Sequence, residues 1–202
     1  SATWSGDANG TDVTLHTPQG EVQFRLPLPG RHNVMNALAA SAAALAAGAG
    51  LDDVASGLAG LVPVAGRFNI HHLPGDITLI DDTYNANPGS LQVALDVLAM
   101  SGGATWLVLG DMGELGETSV ELHADAGRSA RAAGVDRLFA IGDLARAAAD
   151  SFGEQGEFHA TQDELITALR NDLNGPLHVL VKGSRRMQLE NVVKALSSGG
   201  DD

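Results

Sequence analysis

Two different hydrophobic patterns occupy the first third of the chain. Apolar and polar residues alternate over 11–17 and 21–26, with a proline and a glycine between them, which predicts a β-hairpin. An alanine-rich segment extends from residue 30 to about 47, and a shorter segment from 51 to about 61 has two aspartates in its first turn. Both segments predict helices, the first ended by glycines and the second favoured by its acidic first turn.

The pattern changes after residue 66. Apolar runs occur at 77–80, 106–109, 137–141, near 158 and at 177–181. Between and after them we predict helices at 88–100, at about 118–133, in a segment that ends at about 151, at 161–172 and in a final segment that ends at about 196. Strands that are apolar throughout and separated by helices are typical of a parallel sheet covered on both faces. The predicted fold class is α/β, a doubly wound, mostly parallel sheet preceded by the hairpin and helices. We expect domains at 1–65 and 66–198 and a disordered tail at 199–202.

Polar clusters follow the predicted strands at the points where they end. They are Asp81-Asp82, Gly110-Asp111, Gly142-Asp143 and Lys182-Gly183-Ser184. Open parallel sheets bind ligands at the carboxyl ends of their strands. We therefore expect these clusters to surround a binding site.

Composition narrows the function classes. The 202 residues include 25 acidic and 12 basic residues, and the formal charge of -13 disfavours binding to nucleic acid or to an anionic membrane. The absence of cysteine excludes disulfides, thiolate catalysis and cysteine-ligated zinc. The longest apolar stretch, 37–51, is mostly alanine and glycine and is shorter than a membrane span. We expect a cytoplasmic protein without membrane insertion.

The stretch DDTYNANPGS, residues 81–90, concentrates hydrogen-bonding side chains at one strand end. Its aspartates can accept hydrogen bonds from ribose hydroxyls, and Tyr84 with the asparagine amides can surround a planar base. The alternative is a strand-to-helix turn rich in capping residues, with Asn87 as the N-cap and Pro88 in the first turn of the helix. Two adjacent acids and the chain's only tyrosine favour a binding site.

Two further strand ends carry opposite charges. In GDMGELG, residues 110–116, Met112 stands where a dinucleotide fingerprint needs glycine, so we expect Asp111 or Glu114 to meet a cation, a hydroxyl or an amine. In KGSRR, residues 182–186, a strand end leads into a predicted helix N-terminus with three cations. That arrangement favours an anion pocket over a solubilising basic patch.

Other candidates carry weaker signals. Asn33 and Asn36 share a helix face next to His32, where they can simply cap the helix. Arg67 is an isolated cation just after the predicted domain junction at 63–66. The remaining histidines have no zinc-ligand spacing, so no metal site is predicted.

Five segments, taken in order, resemble the Mur ligases of bacterial cell-wall synthesis. They are GRHNVMNALAA, AGRF, LIDDTYNANPGS, VLGDMGELG and VKGSRRMQLENVV, and the resemblance extends from residue 30 to 196. Within that family the last three most resemble the ligase that adds D-alanyl-D-alanine to UDP-N-acetylmuramoyl-tripeptide. The resemblance implies a reaction with ATP and Mg²⁺ through an acyl phosphate, and we expect a monomer.

The resemblance also implies roles for residues. The implied nucleotide contacts are His32, Asn33, Asn36, Arg67, Asp82, Tyr84, Asn85 and Asn87. The asparagines of the first helix lie by the adenine, Arg67 near the phosphates and Asp82 on the ribose. From charge, we expect the zwitterionic dipeptide at Asp111, Glu114, Lys182, Ser184 and Arg185. Arg67 and Lys182 are the expected catalytic residues.

The sequence also departs from the family pattern. It contains no Gly-Lys-Ser/Thr phosphate-binding loop, and the acidic magnesium ligands, the carboxylated lysine and the uridine-nucleotide domain are missing. We expect the end of the central ATPase domain plus the complete C-terminal domain of a longer enzyme, without ligase activity of its own. The alternatives are a folylpolyglutamate synthase-like ligase and a non-catalytic nucleotide-binding module.

Overall fold

The computed structural model describes residues 1–7, 10–62 and 64–198. The chain divides into two compact units, Ser1–Val64 and Ala65–Asp202, each with its own hydrophobic core. The predicted tail at 199–202 and Pro63 of the predicted junction lie outside the described residues.

The first unit contains a three-stranded antiparallel sheet and two helices. The strands are β1 (Ala2–Asp7), β2 (Gly10–Thr17) and β3 (Gly20–Leu26), in that spatial order, and the helices are α1 (Arg31–Ala46) and α2 (Leu51–Ala59). The predicted hairpin, formed by β2 and β3, and both predicted helices are confirmed.

Alternation along the hairpin places its apolar residues in the core of this unit. Val13, Leu15, Phe24 and Leu26 are buried together with residues of both helices. Strand β1 was not predicted. Its apolar residues are Ala2, which packs against this core, and Trp4, which is exposed, and two apolar positions are too few to indicate a strand.

The second unit alternates strands and helices. Its strands are β4 (Asn69–Leu73), β5 (Ile77–Asp82), β6 (Ala104–Gly110), β7 (Arg137–Ile141), β8 (Gly156–His159) and β9 (Leu177–Lys182). Its helices are α3 (Pro88–Ala99), α4 (Ser119–Ala132), α5 (Arg146–Phe152), α6 (Gln162–Asp172) and α7 (Glu190–Ser197), with 3-10 turns at Gly116–Thr118 and Arg185–Met187. In the described part of the chain, no helix combines the length and apolarity that crossing a bilayer requires.

The six strands form one sheet in the order β4-β5-β9-β6-β7-β8. Neighbours from β5 to β8 pair in parallel, whereas β4 pairs with β5 antiparallel. The predicted doubly wound, mostly parallel sheet is confirmed. Strand β4 was missed because its sequence, NIHHL, contains an asparagine and two histidines and lies half-buried at the sheet edge, without a continuous apolar run.

Side chains of the central strands alternate between two cores on opposite faces of the sheet. Ile80, Leu107 and Leu109 lie in the core that α3, α4 and α5 cover, whereas Leu79 and Val108 lie in the core that α6 and α7 cover. Burial on both faces explains why these strands are continuous apolar runs in the sequence. It also fixes the positions of the strand ends, where the polar clusters begin.

Arg137, at the start of β7, connects three elements through charge. Its Nη2 lies 2.5 Å from Glu157 Oε1 on β8, and its Nη1 lies 2.8 Å from Asp172 Oδ2 at the end of α6. The guanidinium carbon also lies 4.8 and 4.6 Å from the ring centroids of Trp106 and Phe139. Burial disfavours the charged guanidinium, but its hydrogen bonds to the two carboxylates outweigh burial, so the pKa of Arg137 lies above its ordinary value.

Replacing Arg137 with methionine should destabilise the second unit. The substitution removes both ion pairs and the stacking on two rings, which predicts a loss of about 1–3 kcal/mol in the free energy of unfolding. Urea unfolding followed by circular dichroism measures the loss. Arg128→Met is the matched control, because Arg128 pairs with Asp125 at an exposed position and should cost less than about 0.5 kcal/mol. Equal losses in the two variants would contradict the structural role of Arg137.

Candidate functional site

Four loops begin side by side where the parallel strands β5, β9, β6 and β7 end. Asp82 and Lys182 are paired at the ends of β5 and β9, and Lys182 also pairs with Leu109 near the end of β6. Gly110 pairs with Ile141 at the end of β7. The predicted convergence of the polar strand ends is therefore confirmed.

A buried ion pair joins the ends of β5 and β9. Lys182 Nζ donates hydrogen bonds to Asp82 Oδ2 at 2.5 Å and to the carbonyl oxygen of Asn85 at 2.9 Å. The Lys182 side chain is 2% exposed and the Asp82 side chain is 17% exposed. The sequence suggested a mobile cation at this position, whereas in the structure a carboxylate of the protein already matches the charge of Lys182.

Hydrogen bonds within the chain define the turn between β5 and α3. Asp81 Oδ1 accepts hydrogen bonds from the N–H and the hydroxyl of Thr83, at 3.1 and 2.6 Å. Asn87 caps α3, since its Oδ1 accepts a hydrogen bond from the N–H of Ser90 at 2.9 Å and the next residue is a proline in the first turn. Asn87 is thus the N-cap, as the capping alternative predicts.

Arg67 contacts this turn through the ring of Tyr84. The guanidinium carbon lies 4.4 Å from the ring centroid, and both side chains are exposed. The carbonyl oxygen of Gly66 accepts a hydrogen bond from the N–H of Tyr84 at 2.8 Å. Gly66 has a φ of +73°, and a Cβ there would lie 2.9 Å from Tyr84 N, so this approach requires glycine. Arg67 and Tyr84, which the family resemblance implies as contacts of one nucleotide, form one exposed pair.

Asp111, which follows β6, contacts the loops after β7 and β9. Its Oδ1 accepts hydrogen bonds from the N–H groups of Leu144 and Ala145 at 3.0 and 2.8 Å, and its carbonyl oxygen accepts one from the N–H of Ser184 at 2.9 Å. Arg186 Nη2 lies 3.4 Å from Asp111 Oδ2. The sequence predicts that Asp111 or Glu114 meets a cation, a hydroxyl or an amine, and in the structure the partners of the Asp111 carboxylate are the cation of Arg186 and two backbone N–H groups.

The α-helix predicted to start within KGSRR is wrong. Arg185–Met187 form a 3-10 turn, Gln188 follows with a φ of 51°, and α7 begins only at Glu190. Because Gln188 has left-handed backbone angles, the 3-10 turn does not continue into α7. The N-terminus of α7 therefore does not lie directly at the end of β9, where its dipole could attract an anion. The exposed Arg185 pairs instead with Glu190 at 2.9 Å.

In the loops after β6 and β9, two predicted site residues have polar side-chain atoms without a partner among the described residues. Ser184 is 4% exposed, and its hydroxyl has no hydrogen-bond partner among the residues that the structure describes. Glu114 is exposed with a φ of 63°, and its carboxylate is in none of the ion pairs of the described ranges. A Cβ on Gly113 would lie 3.7 Å from Ser184 Cβ, so the two loops that carry these residues touch.

His123 supports this edge and was missed as a site residue. Its Nε2 accepts a hydrogen bond from the N–H of Met112 at 2.8 Å, and its Nδ1 donates one to the carbonyl oxygen of Ser119 at 2.6 Å, which assigns the ring proton to Nδ1. The fully buried imidazole thereby fixes the loop after β6. No local sequence pattern links a histidine in a helix to a loop eleven residues earlier.

The other predicted nucleotide contacts lie on α1 of the first unit. Asn33 Nδ2 donates a hydrogen bond to the carbonyl oxygen of Pro29 at 2.8 Å, so this amide is bound to the loop that precedes the helix. Asn36 is exposed and His32 is half-buried. Their contact with a nucleotide stays a prediction.

Gly142→Ala should disrupt the contacts of Asp111. Gly142 has a φ of +108°, and a Cβ there would lie 2.3 Å from Asp111 Oδ1. We expect a loss of about 2–4 kcal/mol in the free energy of unfolding, measured by urea unfolding. Gly134→Ala is the control, because Gly134 has a φ of +84° but a Cβ there meets nothing within 4 Å, and it should cost only about 1 kcal/mol. Similar losses would show that the Asp111 contacts contribute little.

Comparison with known sequences agrees with this architecture. The profile of the "Mur ligase, glutamate ligase domain" matches residues 66–185, and that of the "Mur ligase middle domain" matches residues 2–44. The UDP-N-acetylmuramoyl-tripeptide--D-alanyl-D-alanine ligase of Escherichia coli (strain K12) is 45% identical over 195 residues, which are 96% of this chain and 43% of the relative. The chain thus spans less than half the length of this curated relative.

Solved structures show the same fold. A crystal structure of MurF from Acinetobacter baumannii matches 98% of this chain and 45% of its own, with a TM-score of 0.85 and 38% identity. A folylpolyglutamate synthase of Mycobacterium tuberculosis matches with a TM-score of 0.69 at 20% identity, a likeness of fold alone. Because the glutamate ligase domain profile covers more than half of its residues, this chain belongs to the Mur ligase family.

Proposed function

We propose that this chain contributes nucleotide-binding and amine-binding residues to an ATP-dependent ligase. The whole enzyme adds D-alanyl-D-alanine to UDP-N-acetylmuramoyl-tripeptide in the synthesis of peptidoglycan precursors. The observation that carries the proposal is the joined strand ends at Asp82 and Lys182 beside the exposed Tyr84 and Arg67. Identity of 45% to a relative with that name supports the choice of reaction.

The groups around Asp82 fit the nucleoside part of ATP. Asp82 Oδ2 accepts a hydrogen bond from Lys182 Nζ. Asp82 Oδ1 makes no hydrogen bond within the described ranges and can accept one from a ribose hydroxyl. The exposed side chains of Tyr84 and Asn85 can contact a planar base, and the cation of Arg67 attracts phosphate. The proposal keeps Asn87, His32, Asn33 and Asn36 as further nucleotide contacts, the last two by the adenine.

The touching loops after β6 and β9 fit a zwitterionic dipeptide. The buried hydroxyl of Ser184 can donate a hydrogen bond to its carboxylate, which would satisfy a polar atom that lacks a partner among the described residues. The exposed carboxylate of Glu114 can attract its ammonium group. Asp111 acts by fixing these loops, and Arg185 adds positive charge at the rim.

The described residues do not fit magnesium. In the described ranges no group of three histidine, aspartate or glutamate residues is placed to bind a metal ion, and the sequence has no Gly-Lys-Ser/Thr loop for the phosphates. We assign both tasks to sequence outside these 202 residues. Without them, charge that develops during phosphoryl transfer has no counter-charge, so the chain alone should form no amide bond.

The proposed reaction has two steps. A carboxylate oxygen of the peptide attacks the γ-phosphorus of ATP, ADP leaves, and an acyl phosphate forms. The amine of the dipeptide then attacks the acyl carbon, loses a proton, and phosphate leaves as the amide bond forms. We further propose that the enzyme acts as a monomer in the cytoplasm.

A folylpolyglutamate synthase-like ligase is the second candidate, because that fold also matches this chain. It shares the acyl phosphate chemistry but takes glutamate as the amine. The segments DDTYNANP, GDMGELG and KGSR favour D-alanyl-D-alanine over glutamate. A nucleotide-binding module without catalysis is the third candidate.

A chimera tests the proposal. This chain replaces the matching 43% of the Escherichia coli ligase, so that the relative supplies the remaining parts. We expect phosphate release only when ATP, UDP-N-acetylmuramoyl-tripeptide and D-alanyl-D-alanine are all present, and none from the 202-residue chain alone. Turnover with glutamate instead would support the second candidate. ATP binding by a folded chimera without any turnover would support the third.

Within the chimera, Asp82→Asn should raise the KM for ATP roughly tenfold, because an amide accepts a ribose hydrogen bond less strongly than a carboxylate does. Asp96→Asn, on the exposed face of α3 where it accepts a hydrogen bond from Gln92, is the matched control and should leave KM unchanged. An unchanged KM in both variants would remove Asp82 from the nucleotide site.

A further inference from the structure

Lys182 is one of only two lysines in the chain, and the two have opposite environments. Lys182 is 2% exposed at the end of β9, whereas Lys194 is exposed on α7. A buried ammonium is unfavourable unless the protein matches its charge and satisfies its hydrogen-bond donors. For Lys182 the carboxylate of Asp82 matches the charge, and the Asn85 carbonyl oxygen accepts a second hydrogen bond.

The two acceptors of Lys182 lie at different points of one turn. Asp82 is the last residue of β5, and Asn85 lies three residues further, beyond the exposed Tyr84. A single ammonium therefore connects the end of β9 to both sides of the tyrosine. Asp81 and Gly66 fix the same turn independently, through Thr83 and the N–H of Tyr84.

The ion pair also decides which oxygen of Asp82 a ligand can use. Because Oδ2 accepts the hydrogen bond of Lys182 at 2.5 Å, Oδ1 is left to accept a hydrogen bond from a ligand. With two acceptors inside the chain and a side chain that is 2% exposed, the Lys182 ammonium offers little surface to a substrate anion. The sequence analysis favoured a contact between Lys182 and a substrate anion, because the three cations of KGSRR are evident in the sequence whereas their carboxylate partners are not.

We infer that Lys182 is a positioning residue for nucleotide binding and does not contact the dipeptide. It acts through Asp82, whose carboxylate it orients, and through Asn85, whose carbonyl it fixes beside Tyr84. This inference rests on the proposed function for the identity of the ligand. It differs from that proposal in predicting which substrate's KM depends on Lys182.

Lysine acetylation tests the burial of Lys182 without reference to activity. The folded 202-residue chain is treated with an N-hydroxysuccinimide ester of acetate, and peptides are quantified by mass spectrometry over time. We expect Lys194 to react at least about a hundredfold faster than Lys182, and equal rates in denaturant, because a buried amine reacts only when the structure opens. Comparable rates in the folded chain would overturn the inference.

Kinetics of the chimera test the role of Lys182. Lys182→Met should raise the KM for ATP about tenfold or more and leave the KM for D-alanyl-D-alanine within about twofold, because only the orientation of Asp82 and its turn changes. Lys194→Met is the matched control and should change neither value. A raised KM for the dipeptide with an unchanged KM for ATP would overturn the inference and make Lys182 a substrate-binding cation.

A double variant separates misfolding from misplacement. Lys182→Met alone leaves a carboxylate without its counter-charge and can lower the melting temperature, whereas Lys182→Met with Asp82→Asn removes both charges. We expect the double variant to recover most of the lost melting temperature and to have a KM for ATP close to that of Asp82→Asn alone, because Lys182 acts mainly through Asp82. Two tenfold effects that multiply in the double variant would show that Lys182 acts independently of Asp82 and would overturn the inference. An inactive wild-type chimera would contradict the proposed function, while acetylation still decides the burial of Lys182.

Discussion

The ion pair between Lys182 and Asp82 is the interaction on which the candidate site depends. It joins residues 100 positions apart in sequence, at the ends of two adjacent parallel strands. Burying an ammonium is costly unless its acceptors are in place, so the register of β5 against β9 and the conformation of the following turn are set together. The same contact leaves Asp82 Oδ1 without a hydrogen bond among the described residues, next to the exposed Tyr84.

The sheet makes this arrangement possible because both of its faces are covered. Apolar side chains of the central strands alternate between two cores, and a one-residue shift of a strand would exchange the side chains that enter each core. The loops are then tied to one another rather than to the strands alone. Asp111 binds backbone groups of two neighbouring loops, and Gly66 binds the turn that carries Tyr84. These hydrogen bonds connect the loops that carry the candidate site residues.

Charge at this edge is nearly balanced within the chain. Lys182 pairs with Asp82, Arg185 with Glu190 and Arg186 with Asp111, whereas Arg67 lies against the ring of Tyr84. A balanced edge in a chain with a net charge of -13 is poorly suited to binding a triphosphate by itself. This agrees with the proposal that these residues bind the nucleoside and the amine, whereas sequence outside the chain binds most of the triphosphate.

The sequence alone determined the alternation of strands and helices, the α/β class and the location of polar residues at strand ends. Those features depend on local hydrophobic periodicity. A strand that is buried on both faces of a sheet needs apolar residues at nearly every position, and this pattern is visible in the sequence. The family motifs also marked Asp82, Tyr84 and Arg67 as a group. Only the tertiary structure decided that Lys182 is buried, that Asp111 binds neighbouring loops and that β4 joins the sheet edge. These depend on partners far away in sequence, and a side chain's type reveals its charge but not which distant carboxylate or carbonyl will satisfy it.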